Sequence, residues 1–285
     1  GKFMVTETYQ IGVKPYDKFR LDTVIGITIF HIGAILAPIY SYIYYETIFT
    51  LVAYPMLALL IWPISHGLGL AVGYHRLLTH RGFDTPKWVE YTLTVCGLLT
   101  LQSSHIKWIA VHRRHHQETD TFNDPHSPRN GFMHSHIGWM IYTEGRLSET
   151  PFLEKYAKDL MSDPVHRFFH KFWWLPSTIL ALVLFAFDGI EAILWGIFIP
   201  VAVGLHFTWL VNSVCHKFGS RMFETDDDSK NNWWVALLTF GEGWHNNHHD
   251  KPVRARHGLH WYQIDFSWML ISVLKSLGLA KNIKL

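Results

Sequence analysis

The sequence predicts an all-α integral membrane protein: four transmembrane helices topped by a cytoplasmic helical cap. Three observations predict it. Two long apolar stretches contain no Lys or Arg, the 25 bases all lie outside them, and histidine clusters sit where those stretches end. Only 17% of the 285 residues are charged, against about 25% in an ordinary soluble domain. With 49% apolar and 15% aromatic residues, a disordered chain, a coiled coil and a collagen are excluded. A net charge of +2 gives no bulk argument for nucleic acid, and Cys96 and Cys215 alone make no disulfide framework.

The first base-free stretch runs from Leu21 to His75, with Asp22 and Glu46 its only acids. A single span needs about 20 residues, so the stretch reads as two helices, 21–44 and 48–74, joined by a turn near Glu46. The second runs from Phe172 to His216, with Asp188 and Glu191 its only acids, and reads as spans 174–190 and 193–215. Neither hairpin tip carries a base. The positive-inside rule therefore places both termini and the segments 76–171 and 216–285 in the cytoplasm. No basic leader with a cleavage site is visible, so no signal peptide is expected. Trp88–Leu101 is apolar but short, which suits an interfacial or re-entrant helix. The Trp-rich tail after Gly258 reads as amphipathic, at a headgroup boundary. The whole, residues 1–285, reads as one membrane domain.

Three histidine clusters stand on the predicted cytoplasmic side: His75 and His80; His112, His115 and His116; His245, His248 and His249. In the last two, positions i, i+3 and i+4 share one helical face, so each triplet can point at one site. The interval of five in the first does not hold one α-helical face and suits a helix end. Eight imidazoles exceed the four ligands of one tetrahedral zinc, and suit two metals. Imidazole binds iron, zinc, copper and nickel, so ligand type does not select among them. Asn212 and His216 lie four residues apart at the end of the last span, where polar groups are costly. His216 adds a ninth imidazole, and Asn212 can hold a metal-bound water. Ligating histidines donate their second nitrogen to a carboxylate or carbonyl. Glu242, Asp120 and Asp124 are the candidates; Asp124 can equally cap a turn.

These boxes, together with Asp124-Pro125-His126, Ser135-His136-Ile137-Gly138-Trp139 and Gly241-Glu242-Gly243-Trp244-His245, resemble those of the integral-membrane fatty acyl desaturases. The order and spacing look like the C9 branch acting on stearoyl-CoA or acyl lipids, with bacterial and cyanobacterial members nearest. The resemblance implies a mushroom-like, four-span fold and two iron ions held by His75, His80, His112, His115, His116, His216, His245, His248 and His249, with Asn212 acting through water. It implies O2 as co-substrate, a kinked acyl tunnel, and a cis double bond placed at C9. A methylene hydrogen is not acidic, so base chemistry alone cannot remove it; a strongly oxidising metal is required. Zinc can substitute in a recombinant sample, because imidazole does not exclude it.

His66, in the second span, and the polar run containing Ser103 and His105 depart from the branch, and His206 lies within the fourth span. Each either lines the tunnel or is a buried, hydrogen-bonded residue. The chain lacks a haem signature and ferredoxin cysteine spacing, so electrons are expected from a ferredoxin or a cytochrome b5-type carrier. Arg113, Arg114, Lys217, Arg221, Lys251, Arg254 and Arg256 are bases that could dock such a carrier or a thioester's phosphates. The acyl group can ride on CoA, acyl carrier protein or a lipid of the bilayer. Competing outcomes are hydroxylation, acetylenic-bond formation or other regiochemistry, terminal included, at the same centre, and a non-enzymatic membrane metal-binding protein.

Overall fold

The computed structural model describes residues 18–44 and 47–285; the turn expected near Glu46 lies outside the described residues. A two-residue strand, β1 (Lys18–Phe19), pairs antiparallel with β2 (Tyr142–Thr143) and ties the chain's entry to the cap. Helix α1 (Leu21–Ile43) follows at once. Its 23 residues span roughly 34 Å at 1.5 Å each. Ile25, Ile29, Ile32, Leu36 and Ile39 repeat at helical spacing and stand half-exposed, as side chains facing lipid do.

Helix α2 (Ile48–Trp62) starts at Thr47, whose hydroxyl accepts the Thr50 N–H. It runs on as a π-helix, Pro63–Thr79, giving one continuous run of 32 residues. Phe49, Val52, Met56 and Leu60 are exposed, whereas Gly69 to Thr79 are buried throughout. One helix therefore passes from an exposed apolar surface into the buried interior. The first histidine pair does close a helix end, and the π winding explains how its interval of five converges. A π turn bonds i to i+5, and the His80 N–H bonds the His75 carbonyl. The interval of five is thus brought together by the wide turn itself, with His80 capping the helix.

The third apolar run, Leu175–His216, has 42 residues. Its first leg, the helical stretch α6 (Leu175–Ile193), is broken at Asp188 and Gly189, where Gly189 takes φ +69° and ψ −151°. Only glycine adopts that conformation without steric cost. Leu184 then lies against Gly196, although twelve residues of straight helix would separate them by ~18 Å. The chain has reversed, and the second leg returns as α7 (Ile199–Ser213).

The cap contains α3 (Lys87–Leu98), α4 (His105–Gln117), α5 (Pro164–Lys171), α8 (Trp233–Leu238), α9 (His245–Asp250) and α10 (Phe266–Ser276). Val72, Leu78, Val89, Leu93, Ile106 and Ile109 form its apolar core, where α3 and α4 meet the π-helix. Gly69 and Gly97 let the π-helix and α3 touch backbone to backbone: a Cβ on Gly69 would stand 2.2 Å from the Gly97 nitrogen. On α10, Ile271 is buried while Phe266, Met269 and Val273 face outward, leaving an exposed apolar face.

Candidate metal centre

Nine buried or half-buried imidazoles meet where the π-helix, α4, α7 and α9 converge. They form two groups, His75, His80, His112, His116 and His248, and His115, His216, His245 and His249. Within each, the ring nitrogens lie within 4.8 Å of one another. Each helical triplet divides between the groups. On α4, His112 and His116 join the first while His115 turns to the second; on α9, His245 and His249 join the second while His248 turns to the first. The expectation of one site per triplet is corrected. Positions i and i+4 are offset by about 40° around the axis and i+3 falls on the other side of i, so a triplet can straddle two neighbouring points.

The spacing fits a metal. In the first group, Nε2 of His75 stands 3.1 Å from that of His248, 3.2 Å from that of His80 and 3.0 Å from that of His112. In the second, the Nε2 atoms of His216 and His245 are 2.9 Å apart. Ligands bonded at about 2.0–2.1 Å and set at right angles lie ~2.9 Å apart. The outer nitrogens are held by acids. Nδ1 of His115 donates to Asp124 at 2.9 Å, that of His216 to Asp120 at 2.8 Å, that of His249 to Asp227 at 2.9 Å, and that of His75 to Glu242. With Nδ1 protonated, each Nε2 presents a lone pair. Converging lone pairs repel unless a cation lies between them, and the buried Nε2 atoms of His115 and His249 have no hydrogen-bond partner among the described residues.

Electrostatics favour the ligating state. Burial, then the crowding of other imidazoles, holds His112, His116, His245, His248 and His249 well below the usual 6.5, so they are neutral, as metal binding requires. Burial alone would raise Asp120 and Asp124, but the neighbouring His216 and His115 hold them well below the carboxylate range. Glu242 differs: burial pushes it up to about 7, although Arg76 faces it.

Two residues of the site escaped the sequence reading. Asp227 reaches His249 from a distant loop, and its only signal is three successive acids, Asp226 to Asp228, in a charge-poor chain. His257 is buried with its ring 4.4 Å from that of His248, in a tail that shows no ligand spacing.

Beside the imidazoles lies a cavity of about 690 Å³, within the usual range for ligand pockets. It extends from Arg20 and Lys107 at the cap, past His112 and Asn212, to Ala181 and Ile193 near the chain reversal. Ser103 lines it. The other three tunnel candidates do not. His66 hydrogen-bonds Ser65 at 2.8 Å and borders a second, smaller cavity. His105 pairs with His166, which pairs with Glu90. His206 bridges His31 and His136. Each polar ring in an apolar setting has found a partner. Several docking bases are also engaged within the chain: Arg113 with Asp159, Arg114 with Glu144, and Arg221 with the carbonyls of Thr225 and Asp227.

Residues 46–271 match the model of the family described as fatty acid desaturase. The chain is 45% identical over 255 residues, 90% of each chain, to the sn-1 stearoyl-lipid 9-desaturase of Anabaena variabilis. It is 38% identical to the sn-2 palmitoyl-lipid 9-desaturase of Nostoc sp. (strain 36), over 93% of this chain and 90% of that one. It is also 43% identical to an acyl-CoA 5-desaturase of Anemone leveillei, over 80% of this chain and 71% of that one.

Proposed function

Because the chain belongs to the fatty acid desaturase family, we propose that it introduces a cis double bond at C9 of a saturated acyl chain, using two iron ions, O2 and electrons from a separate carrier protein. The convergence of nine imidazoles beside a long apolar cavity carries the reading. His75, His80, His112, His116 and His248 would hold one iron; His115, His216, His245 and His249 would hold the other, with Asn212 acting through water. Glu242, Asp120, Asp124 and Asp227 orient the ligating rings. The iron pair, when bound, supplies the oxidising power that removes hydrogen from two adjacent methylenes. Four spans would cross the bilayer, with the cap on the cytoplasmic side. C9 is the position in the names of the relatives from Anabaena and Nostoc, and the carrier of the acyl group is proposed as a lipid on the same ground.

The protein's part is to hold and shape the chain. Gln102 donates to Thr208 at 2.9 Å and accepts from the Trp108 indole at 3.2 Å. This bridge joins cap to α7 at the cavity wall next to His112 and Asn212. In this reading the bridge would bend the acyl chain beside the centre, which favours a cis product. The apolar walls exclude water from the reacting carbons.

The test is fatty-acid analysis of a desaturase-deficient host expressing the chain, with double bonds located by mass spectrometry. A new monoene with its bond at C9 is expected; a hydroxy product or a bond elsewhere overturns the reaction or the regiochemistry. Ala181→Phe, adding a ring at the deep end of the cavity, is expected to shift products from stearoyl toward palmitoyl chains, and unchanged chain-length preference would exclude this cavity as the tunnel. Asp120→Asn should weaken metal binding about 10–100-fold, the usual cost of losing a histidine's outer partner, as read by competition with a chelator.

A further inference from the structure

A second cavity, of about 60 Å³, touches His75, His112, His245 and Asn212 from the side of α2 and α7. It is far too small for an acyl chain. Trp108, His112, Thr208 and Asn212 line both cavities. Beyond the imidazoles the lining of the smaller one mixes apolar residues, among them Ala71, Leu238, Trp62 and Phe207, with the polar His66, Thr239 and Glu242. The Trp62 ring lies 5.8 Å from that of Phe207 and 4.8 Å from that of Phe240. Trp62 and Phe207 stand on apolar runs and are half-exposed, so the outer end opens at lipid depth rather than to water.

We infer that this cavity is the entry and docking site for dioxygen. The inference rests on the oxygen-dependent reading of the centre. Once an acyl chain fills the larger cavity, that route to the imidazoles is closed, yet dioxygen must arrive while the chain is in place. A small apolar molecule partitions into the hydrocarbon phase, and the rings of Trp62, Phe207 and Phe240 line the cavity on this side. Water is the competing occupant. Among the unpartnered buried nitrogens in the cavity lining, Nε2 of His66 is pressed against α7, where a Cβ on Gly204 would stand 1.9 Å from it.

Xenon is the probe, applied under pressure to crystals of the metal-loaded protein. A xenon peak between Trp62, Ala71 and Phe207 is expected, and its loss in Ala71→Leu, which fills the cavity from a buried wall. The same variant should raise KM for O2 on the order of tenfold while KM for the acyl substrate and the metal content stay unchanged, the pattern of a lost access step rather than lost chemistry. Leu238→Trp, at the outer wall, repeats the test if Ala71→Leu does not fold. A wild-type cavity holding water and no xenon, or blocked variants with wild-type oxygen dependence, would overturn the inference. A metal-loaded wild type that consumes no oxygen would instead overturn the functional reading, and the xenon result would still stand by itself.

Discussion

Replacing His248 with alanine is expected to lower desaturation by at least ~1,000-fold, about 4 kcal/mol of lost barrier reduction. His248 is the member of its triplet that crosses to the first imidazole group, where its Nε2 lies 3.1 Å from that of His75 and 2.9 Å from that of His116. Its loss opens that group, whereas His245 and His249, four residues apart on the same short helix, still face the second. Bound metal should therefore fall from two ions per chain toward one, and the protein should remain folded. His249→Ala should empty the opposite position. Metal analysis of the two purified variants reads this directly. If both variants lose all metal together, the two groups are a single site and the assignment by group is wrong.

Arg76→Met is expected to destabilise the cap by about 3–5 kcal/mol, the usual cost of stripping one partner from a buried ion pair. The Arg76 guanidinium is fully enclosed. It donates to the Ala255 carbonyl and to Asp265, both at 2.9 Å, and twice to Glu242 at 3.0 and 2.9 Å. Asp265 in turn accepts the backbone N–H groups of His257, Gly258 and Trp268. Without the guanidinium, two carboxylates are left buried, and Glu242, the partner of His75 Nδ1, loses the group that orients it. The effect should thus appear twice, as a lower thermal midpoint in detergent and as weaker metal retention. Arg76→Lys restores the charge but not the planar fork, and should fall between Met and wild type. A wild-type midpoint for Arg76→Met would show that this network does not hold the cap together.

Much of this was legible in the sequence because charge and spacing are local. The base-free runs foretold apolar helices long enough to cross a bilayer, and such helices are present. The Asn212 to His216 interval and the acids Asp120, Asp124 and Glu242 were picked out by proximity to histidine boxes, and the three acids stand against His216, His115 and His75. Three things were not legible. Spacing tells which residues share a helical face but not which of two points, a few ångströms apart, each ring reaches; hence the division of each triplet. The π winding that joins His75 to His80 has no periodic signature, since a five-residue interval is ambiguous between a wide turn and a helix end. Asp227 and His257 arrive from loops whose path is set by tertiary packing alone. His66, His105 and His206 show the converse. A polar residue in an apolar run signals that something holds it, but here the holders are Ser65, His166, and His31 with His136.

The central claim is that two irons sit in the two imidazole groups of a working desaturase. Anomalous diffraction at the iron edge, from crystals of protein shown to desaturate, tests it most directly. Two peaks are expected, one among the Nε2 atoms of His75, His80, His112, His116 and His248 and one among those of His115, His216, His245 and His249. A single iron, or irons lying outside these groups in an active sample, would contradict it.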